Sequence, residues 1–332
     1  DAAAQEKRLV SKKLTNGKRH SQQMLNRSLA ALRLALGSGS MHLALTPKKR
    51  YAVITVGRAS VASLLRQCLE RSPALLTSAT LYNATTSGVG YSADYLLMTL
   101  GLSAHKERCH LLAPVDAPWL KDSCAVIIDT RLPRPPQKDE DPSTWHTALA
   151  RKIASIYETA LGGVLVLCTS YETASALAAL LGPQVDASVL IEQGPSRSAK
   201  ACREAFMALY AQGKRPLWLG VGTAWTGIDL SDPSKPPEND LALTDLVVCR
   251  LPFRVTKTLT HLWRCERFAQ AEYLETLRVF RQGIGRLIRR PGLHHRRLWV
   301  LDARMADPAN KAFVSVLART FGAPNIEWRK ET

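Results

Sequence analysis

Nowhere in the 332 residues do about 18 apolar residues run together, so no membrane-spanning helix is expected. The N-terminus has no continuous apolar stretch, so no secretory leader is expected either. The seven cysteines, Cys68, Cys109, Cys124, Cys168, Cys202, Cys249 and Cys265, are scattered and odd in number, without a CxxC pair or a His/Cys cluster. That usage argues against structural zinc and against an iron–sulfur cluster in this segment, and no metal site is expected. It fits small apolar filler in a reducing cytoplasm. Also missing is GxxxxGK(S/T), the glycine-rich loop whose backbone N–H groups cradle nucleotide phosphates.

Positive charge, by contrast, is plentiful. Lys+Arg number 45 against 28 Asp+Glu, a net charge of +17. This balance fits a polyanionic partner, nucleic acid first and an anionic membrane second; the bland alternative is a solvated basic surface. With 46% hydrophobic and 22% charged residues, the chain reads as globular, with room for one large domain or two modest ones.

Residues 1–42 form a basic segment of helical character. Lys7, Arg8, Lys12, Lys13, Lys18 and Arg19 come in pairs, and Leu25, Leu29, Leu32 and Leu36 fall at helical spacing before Gly37-Ser38-Gly39-Ser40. The segment reads as the end of an inserted, arch-like domain, or over 1–20 as a flexible basic arm. Over 43–332 the pattern alternates. Strands are predicted over 51–56, 74–78, 125–129, 164–168, 188–191, 217–221, 246–250 and 298–301. Helices are predicted over 59–70, 145–161, 173–181, 198–211 and 258–281, the first with Val61, Leu64, Leu65, Cys68 and Leu69 inward. Short apolar strands alternating with amphipathic helices predict an α/β fold, a parallel sheet covered by helices on both faces. Ligands bind such sheets beyond the carboxyl ends of the strands.

The loop after 217–221 carries Gly222, Thr223, Trp225, Thr226, Gly227 and Asp229. Glycine admits close approach of a phosphate or sugar, Asp229 offers a carboxylate to a ribose hydroxyl or an arginine, and Trp225 offers a ring to a base. A structural turn around a buried tryptophan reads equally well. In 282–290, Gln282, Arg286 and Arg289 are spaced i, i+4, i+7. One continuous helix would put them on one face and turn Ile284, Leu287 and Ile288 to the core. Guanidinium forks suit phosphoryl charge better than lysines do, though a solvated basic face has the same pattern. Gly283 and Gly285 each cost a helix about 1 kcal/mol, which implies a close approach to the backbone. Two apolar strands end in hydroxyls, Thr77, Ser78 and Thr80 after the first, and Thr169, Ser170 and Tyr171 after the second. Such ends offer hydroxyls and N–H groups to phosphates, but are also common turns.

In chain order, LLTSATL (75–81), GGVLVLCTSYETASAL (162–177), GVGTAWTGIDL (220–230), LVVCRLPF (246–253) and QGIGRLIRR with GLHHRRLWVLDAR (282–304) resemble motifs III to VI of DinG/XPD-type superfamily 2 helicases. The resemblance covers roughly 43–325 and implies a RecA-like fold, the second of two lobes that bind ATP and Mg²⁺ between them. It implies 5′-to-3′ movement on single-stranded DNA and duplex unwinding. Gln282, Arg286 and Arg289 would then reach the γ-phosphate, with Arg289 the arginine finger. Gly227, Asp229 and Gly285 would lie at the nucleotide. Ser170, Tyr171, Thr223, Trp225 and Arg254 would line the DNA track, and Thr77, Ser78 and Thr80 would couple the two. Three departures stand out. Neither the phosphate loop nor an acidic DEAH-type motif is present, so the chain alone is expected to be inactive without a first lobe. No cysteine quartet appears. The loop 232–240, DPSKPPEND, is long and polar, in keeping with the DinG subgroup that accompanies type IV CRISPR systems and hence with a CRISPR ribonucleoprotein as partner. The competing readings are a non-catalytic RecA-like nucleic-acid-binding module and a small-molecule nucleotide enzyme; the latter leaves the charge unused.

Overall fold

The computed structural model describes residues 22–23, 25–27, 29–30, 33, 40–45, 52–57, 60–85, 90–115, 117–137, 139–253 and 258–330. Two compact units emerge. One comprises Asp1–Ser72, Thr99–Gly101 and Thr256–Ala269; the other comprises Pro73–Met98, Leu102–Val255 and Gln270–Thr332.

In the smaller unit, β1 (Ser40–Leu45) and β2 (Ala52–Gly57) pair antiparallel, Ser40 opposite Gly57. Helix α1 spans Ala62–Arg71. Its apolar stripe is not inward as the spacing predicts: Val61, Leu64 and Leu65 are 42%, 47% and 37% exposed, and Cys68 is exposed. Periodicity marks a face that seeks cover, and the described residues do not supply that cover. Leu25 and Leu29 are likewise exposed, while Leu32, Leu36 and the paired cations of 1–20 lie outside the described residues.

The larger unit opens with the short antiparallel pair β3 (Asn83–Ala84) and β4 (Tyr91–Ser92), followed by α2 (Asp94–Leu100), which ends in the smaller unit. The predicted strand over 74–78 is absent. Residues 73–78 are irregular, and Leu75 and Leu76 are 83% and 44% exposed. A strand exists only where its N–H and C=O groups find a neighbour, and an apolar run by itself does not specify one.

The rest of the unit is the expected α/β sheet. In chain order its elements are β5 (Cys124–Asp129), α3 (Ser143–Glu158), β6 (Val164–Leu167), α4 (Tyr171–Leu181), β7 (Leu190–Glu192), α5 (Ala199–Ala211), β8 (Leu217–Gly220) and β9 (Asp245–Val248). After β9 the smaller unit contributes α6 (Leu259–Arg267); then follow α7 (Ala271–Ile284), β10 (Arg296–Val300), α8 (Lys311–Phe321) and β11 (Ile326–Arg329). The seven strands lie in the order β11-β5-β10-β9-β6-β8-β7, every pair parallel. Strand residues alternate between faces with period two. Val164, Val166, Leu217, Leu219 and Val247 meet Leu149, Ile153 and Leu177 of α3 and α4 in one core. On the other face Phe206 of α5 packs on Trp218 with centroids 6.4 Å apart, and Phe280 of α7 meets Phe313 of α8 edge-on at 5.2 Å. Helices therefore cover both faces, as the RecA-like fold requires. Ser170 and Ser198 cap α4 and α5 by accepting from the N–H groups of Thr173 and Ala201.

The single helix predicted over 258–281 is two. Thr258 caps α6, which stops before Phe268, and α7 starts at Ala271. Among the described residues no helix is long and apolar enough to cross a membrane.

Candidate functional site

The chemistry-bearing segments gather at the carboxyl ends of β6, β8 and β9, and on the last turn of α7. Helix α7 ends at Ile284, with Gly285 as its C-cap, so Gln282, Arg286 and Arg289 do not share one helix face as predicted. Glycines at 283 and 285 weaken the helix there. The chain turns instead, with the N–H of Arg286 donating to the Gly283 carbonyl and that of Leu287 to Ile284. The core side of the segment is as expected: Ile284, Leu287 and Ile288 are all buried.

This turn stitches one motif to another. Arg286 donates from Nε to the Gln282 carbonyl at 3.0 Å and from Nη1 to the Ile228 carbonyl at 2.7 Å. One residue further along the facing loop, Arg289 Nε lies 3.5 Å from Asp229 Oδ2. Arg290 Nη2 then donates to the carbonyls of Asp232 and Lys235 and to Asp240 Oδ2, at 2.8, 2.9 and 3.0 Å. Three arginines thus pin residues 228–240 along the segment that follows α7. The long polar loop is part of this fabric. Its Asp240 is buried, accepting from the N–H groups of Asp232 and Ala242 as well as from Arg290.

Asp229 is held ionised. Burial pushes its carboxyl upward, but hydrogen bonds from the N–H and hydroxyl of Ser231, together with the Arg289 guanidinium, bring its pKa below the ordinary carboxylate value. Arg286, half-buried and beside Arg289, is pushed below the usual guanidinium value, first by burial and then by that like charge. Of the three arginines, Arg289 is the exposed one, while Arg286 and Arg290 are half-buried.

Gly227 is also exposed. A Cβ there would lie 3.5 Å from the Thr223 carbonyl, an ordinary contact, so the packing of the described residues does not demand glycine. Gly285 is tighter: a Cβ would lie 3.3 Å from the Arg281 carbonyl. Thr223 is exposed, and its carbonyl accepts from Gly227 and Thr226. Ser170 is committed to capping α4, while Tyr171 beside it is 41% exposed. Arg254 lies outside the described residues. Thr77 and Ser78 are exposed; the Ser78 hydroxyl accepts from the N–H of buried Thr80, whose Oγ1 accepts from Gln282 Nε2 at 3.1 Å.

Trp225 is the correction. The ring expected to stack on a base is 3% exposed, and its Nε1 donates to the Cys168 carbonyl at 2.9 Å. It is also what approaches the backbone of α7: a Cβ on Gly283 would lie 2.5 Å from the indole. The helix glycine is explained by a tryptophan of the same chain. Sequence reasoning passed over Arg281 and Arg290, although both stand in the same basic run as Gln282, Arg286 and Arg289.

The crevice that Arg286 and Arg289 line with Leu230 and Ser231 holds about 10 Å³. A larger cavity of about 780 Å³ opens at the opposite, amino ends of β5 and β10. Among the described residues no cluster of His, Cys, Asp and Glu has the make-up of a metal site.

Residues 153–320 match the family model described as Helicase C-terminal domain. Over 232 residues the chain is 26% identical to the protein named 3′-5′ exonuclease DinG of Bacillus subtilis (strain 168), covering 67% of this chain and 23% of that protein. A solved structure named XPD helicase superposes with a TM-score of 0.58 at 16% identity, over 90% of this chain and 49% of that one. A structure of apo XPD gives 0.57 at 16% identity, over 95% of this chain and 63% of that one. These two likenesses establish the RecA-like fold. The chain spans under a quarter of the length of the DinG protein and about half that of the XPD helicase structure. It belongs to the helicase C-terminal domain family.

Proposed function

We propose that this chain is the second motor lobe of an ATP-dependent DNA helicase that moves 5′ to 3′ on single-stranded DNA and unwinds duplexes. The observation that carries the reading is the seam between residues 228–240 and 286–290. It fixes the backbone and leaves Arg289 exposed beside Asp229, with exposed Gly227 two residues from that carboxylate. ATP is the substrate, and its phosphates would be gripped chiefly by a first lobe carrying the phosphate loop that this sequence lacks. Magnesium would accompany the ATP phosphates and be held chiefly by that first lobe, since among the described residues of this chain no cluster of His, Cys, Asp and Glu has the make-up of a metal site. What this chain supplies is positive charge held in place. Arg289 meets the charge that develops on the transferring phosphoryl group, and Asp229 keeps its fork oriented until then. Arg286, tied to two carbonyls, sets the backbone that carries Arg289.

DNA would run across the exposed carboxyl-end loops, with Tyr171 available to stack and cations available to phosphates. A CRISPR ribonucleoprotein as partner rests on the long, polar 232–240 loop and the basic character of the chain. That loop is accounted for by its anchors on Arg290 and Asp240, which add no support for such a partner.

The test is Arg289→Ala in the protein that includes the first lobe. Loss of an arginine finger costs about 10³ to 10⁵ in turnover. DNA-stimulated hydrolysis should fall by that order while single-stranded DNA affinity stays within about twofold. Arg289→Lys should fail nearly as badly, since an ammonium lacks the planar fork. Normal turnover at saturating DNA would remove Arg289 from the active site. Weakened DNA binding with a shallower salt dependence would place it in the DNA groove instead.

A further inference from the structure

The last turn of α7 grips the chain on two sides through three consecutive residues. Gly283 is pressed against Trp225 and Leu167, and Trp225 is bonded to Cys168 at the end of β6. Gln282 donates to Thr80. Arg281, which neither the motif pattern nor the proposed chemistry employs, reaches the same irregular segment. Its Nη1 donates to the Tyr82 carbonyl at 2.6 Å, its Nη2 to the Ala79 carbonyl at 3.4 Å, and its guanidinium lies 5.1 Å from the Tyr91 ring. Arg319 of α8 approaches that same ring at 4.6 Å, and its Nη1 donates to the Gly90 carbonyl at 3.1 Å. Two arginines from two helices therefore share one tyrosine, and between them hold three carbonyls of residues 79–90.

We infer that Arg281, clasped with Tyr91 and Arg319, is a positioning residue that makes residues 79–82 and 90–91 move with the last turn of α7. The argument is mechanical, and it rests on the helicase reading above. Segment 73–82 has no ladder of its own, so its position is set by what holds it. A helical turn moves as one body. Arg286 and Arg289 follow that turn, and Arg286 Nε is bonded to the Gln282 carbonyl within it, so whatever draws Arg286 toward a nucleotide also displaces residue 281, and a guanidinium bonded to two carbonyls carries those carbonyls with it. A single bond from Gln282 to a hydroxyl would leave the segment free to pivot; a fork, a ring and a second arginine do not. The tyrosine ring is the element that lets two like charges approach one site, because each cation faces its π-system. The hydroxyl is not used in this, so phenylalanine should serve as well.

The experiment compares base pairs separated per ATP hydrolysed in the protein that includes both lobes, for wild type, Arg281→Met, Tyr91→Leu and Tyr91→Phe. The ratio is independent of the folded fraction, so a merely structural role does not move it. Arg281→Met keeps the aliphatic stem and removes every donor; its ratio should fall at least fivefold, while the KM for ATP stays within about twofold. Tyr91→Leu should behave alike, and Tyr91→Phe should match wild type. Should Arg281→Met fail to fold, Tyr91→Leu against Tyr91→Phe decides the matter alone. An unchanged ratio in Arg281→Met or Tyr91→Leu overturns the inference, as does a Tyr91→Phe variant as impaired as Tyr91→Leu. Wild-type protein without DNA-stimulated hydrolysis overturns the helicase reading, and the clasp's role with it.

Discussion

At position 283 a methyl group has nowhere to go. It would meet the Trp225 ring at 2.5 and 3.0 Å and Leu167 Cδ1 at 3.1 Å, and the ring is anchored by its bond to Cys168. Gly283→Ala should therefore cost about 1–3 kcal/mol, even though alanine is the better helix former, because overpacking a rigid neighbour outweighs propensity. Trp225→Phe strands the buried Cys168 carbonyl and should cost a similar amount, about 1–3 kcal/mol. Urea denaturation measures both. If either variant keeps full stability, or if Trp225→Phe weakens DNA binding in folded protein, the core assignment of Trp225 fails. The residues show why sequence alone left Trp225 open. A tryptophan at a strand end has the same local pattern whether its partner is a base or a glycine 58 positions later. That Gly283 is small could be read in the sequence; what it makes room for could not.

At the scale of elements, β5 and α3 are joined through Asp129. This carboxylate is buried, accepts from Arg131 Nε and Nη2 at 2.9 and 2.8 Å, and lies 3.1 Å from Lys152 Nζ of α3. Burial raises its pKa, but the bonds from Arg131 and Lys152 win and bring it to about 2. The unfolded value is about 3.9, so the folded pKa is depressed. The contribution is therefore present above about pH 4 and lost as pH falls toward 2, and it amounts to about 2 kcal/mol at neutral pH. Asp129→Asn should be destabilised by about that much at pH 7 and converge with wild type near pH 2. A gap that stays constant across a pH series of denaturation curves would show that packing, and not charge, joins the two elements. Element by element, the apolar strands β5, β6, β8, β9 and β10 were legible, because a buried parallel strand is a near-continuous apolar run. Helix α8 carries Ala312, Phe313, Val316 and Leu317 at helical spacing, a signal present but unused. Strand β11, IEWR, has no such run, since it lies at the sheet edge and needs to bury less. The run at 74–78 misled for the opposite reason: it has strand composition without a neighbouring strand. The helix over 282–289 misled because two glycines end α7 while the arginine spacing continues beyond it.

For the molecule as a whole, charge is unevenly spread along the chain. Residues 1–20 hold Lys7, Arg8, Lys12, Lys13, Lys18 and Arg19 against Asp1 and Glu6. In the larger unit, five cations are answered by buried carboxylates: Arg131 and Lys152 by Asp129, Arg290 by Asp240, Arg297 by Asp245 and Arg304 by Asp302. Over 73–98, 102–255 and 270–332 there are 28 Lys+Arg against 24 Asp+Glu, a balance of +4, so the chain's net charge of +17 overstates what the sheet and its helices alone can offer to a phosphate backbone. Binding of single-stranded DNA by this chain should weaken steeply with salt, the logarithm of affinity falling with a slope of about −0.7 for each phosphate neutralised. Deleting residues 1–20 should make that slope shallower by about 2–4, the share of up to six lost cations. Binding should persist at low salt, because the carboxyl-end loops and exposed Tyr171 remain. Fluorescence polarisation with a labelled oligonucleotide across a salt series, on the chain with and without residues 1–20, separates the contributions. An unchanged slope would show that the basic N-terminal run does not touch DNA and that the folded unit supplies all the contacts. Complete loss of binding at low salt would show that the sheet's carboxyl-end loops form no DNA track, and that the positive charge acts only through the first twenty residues.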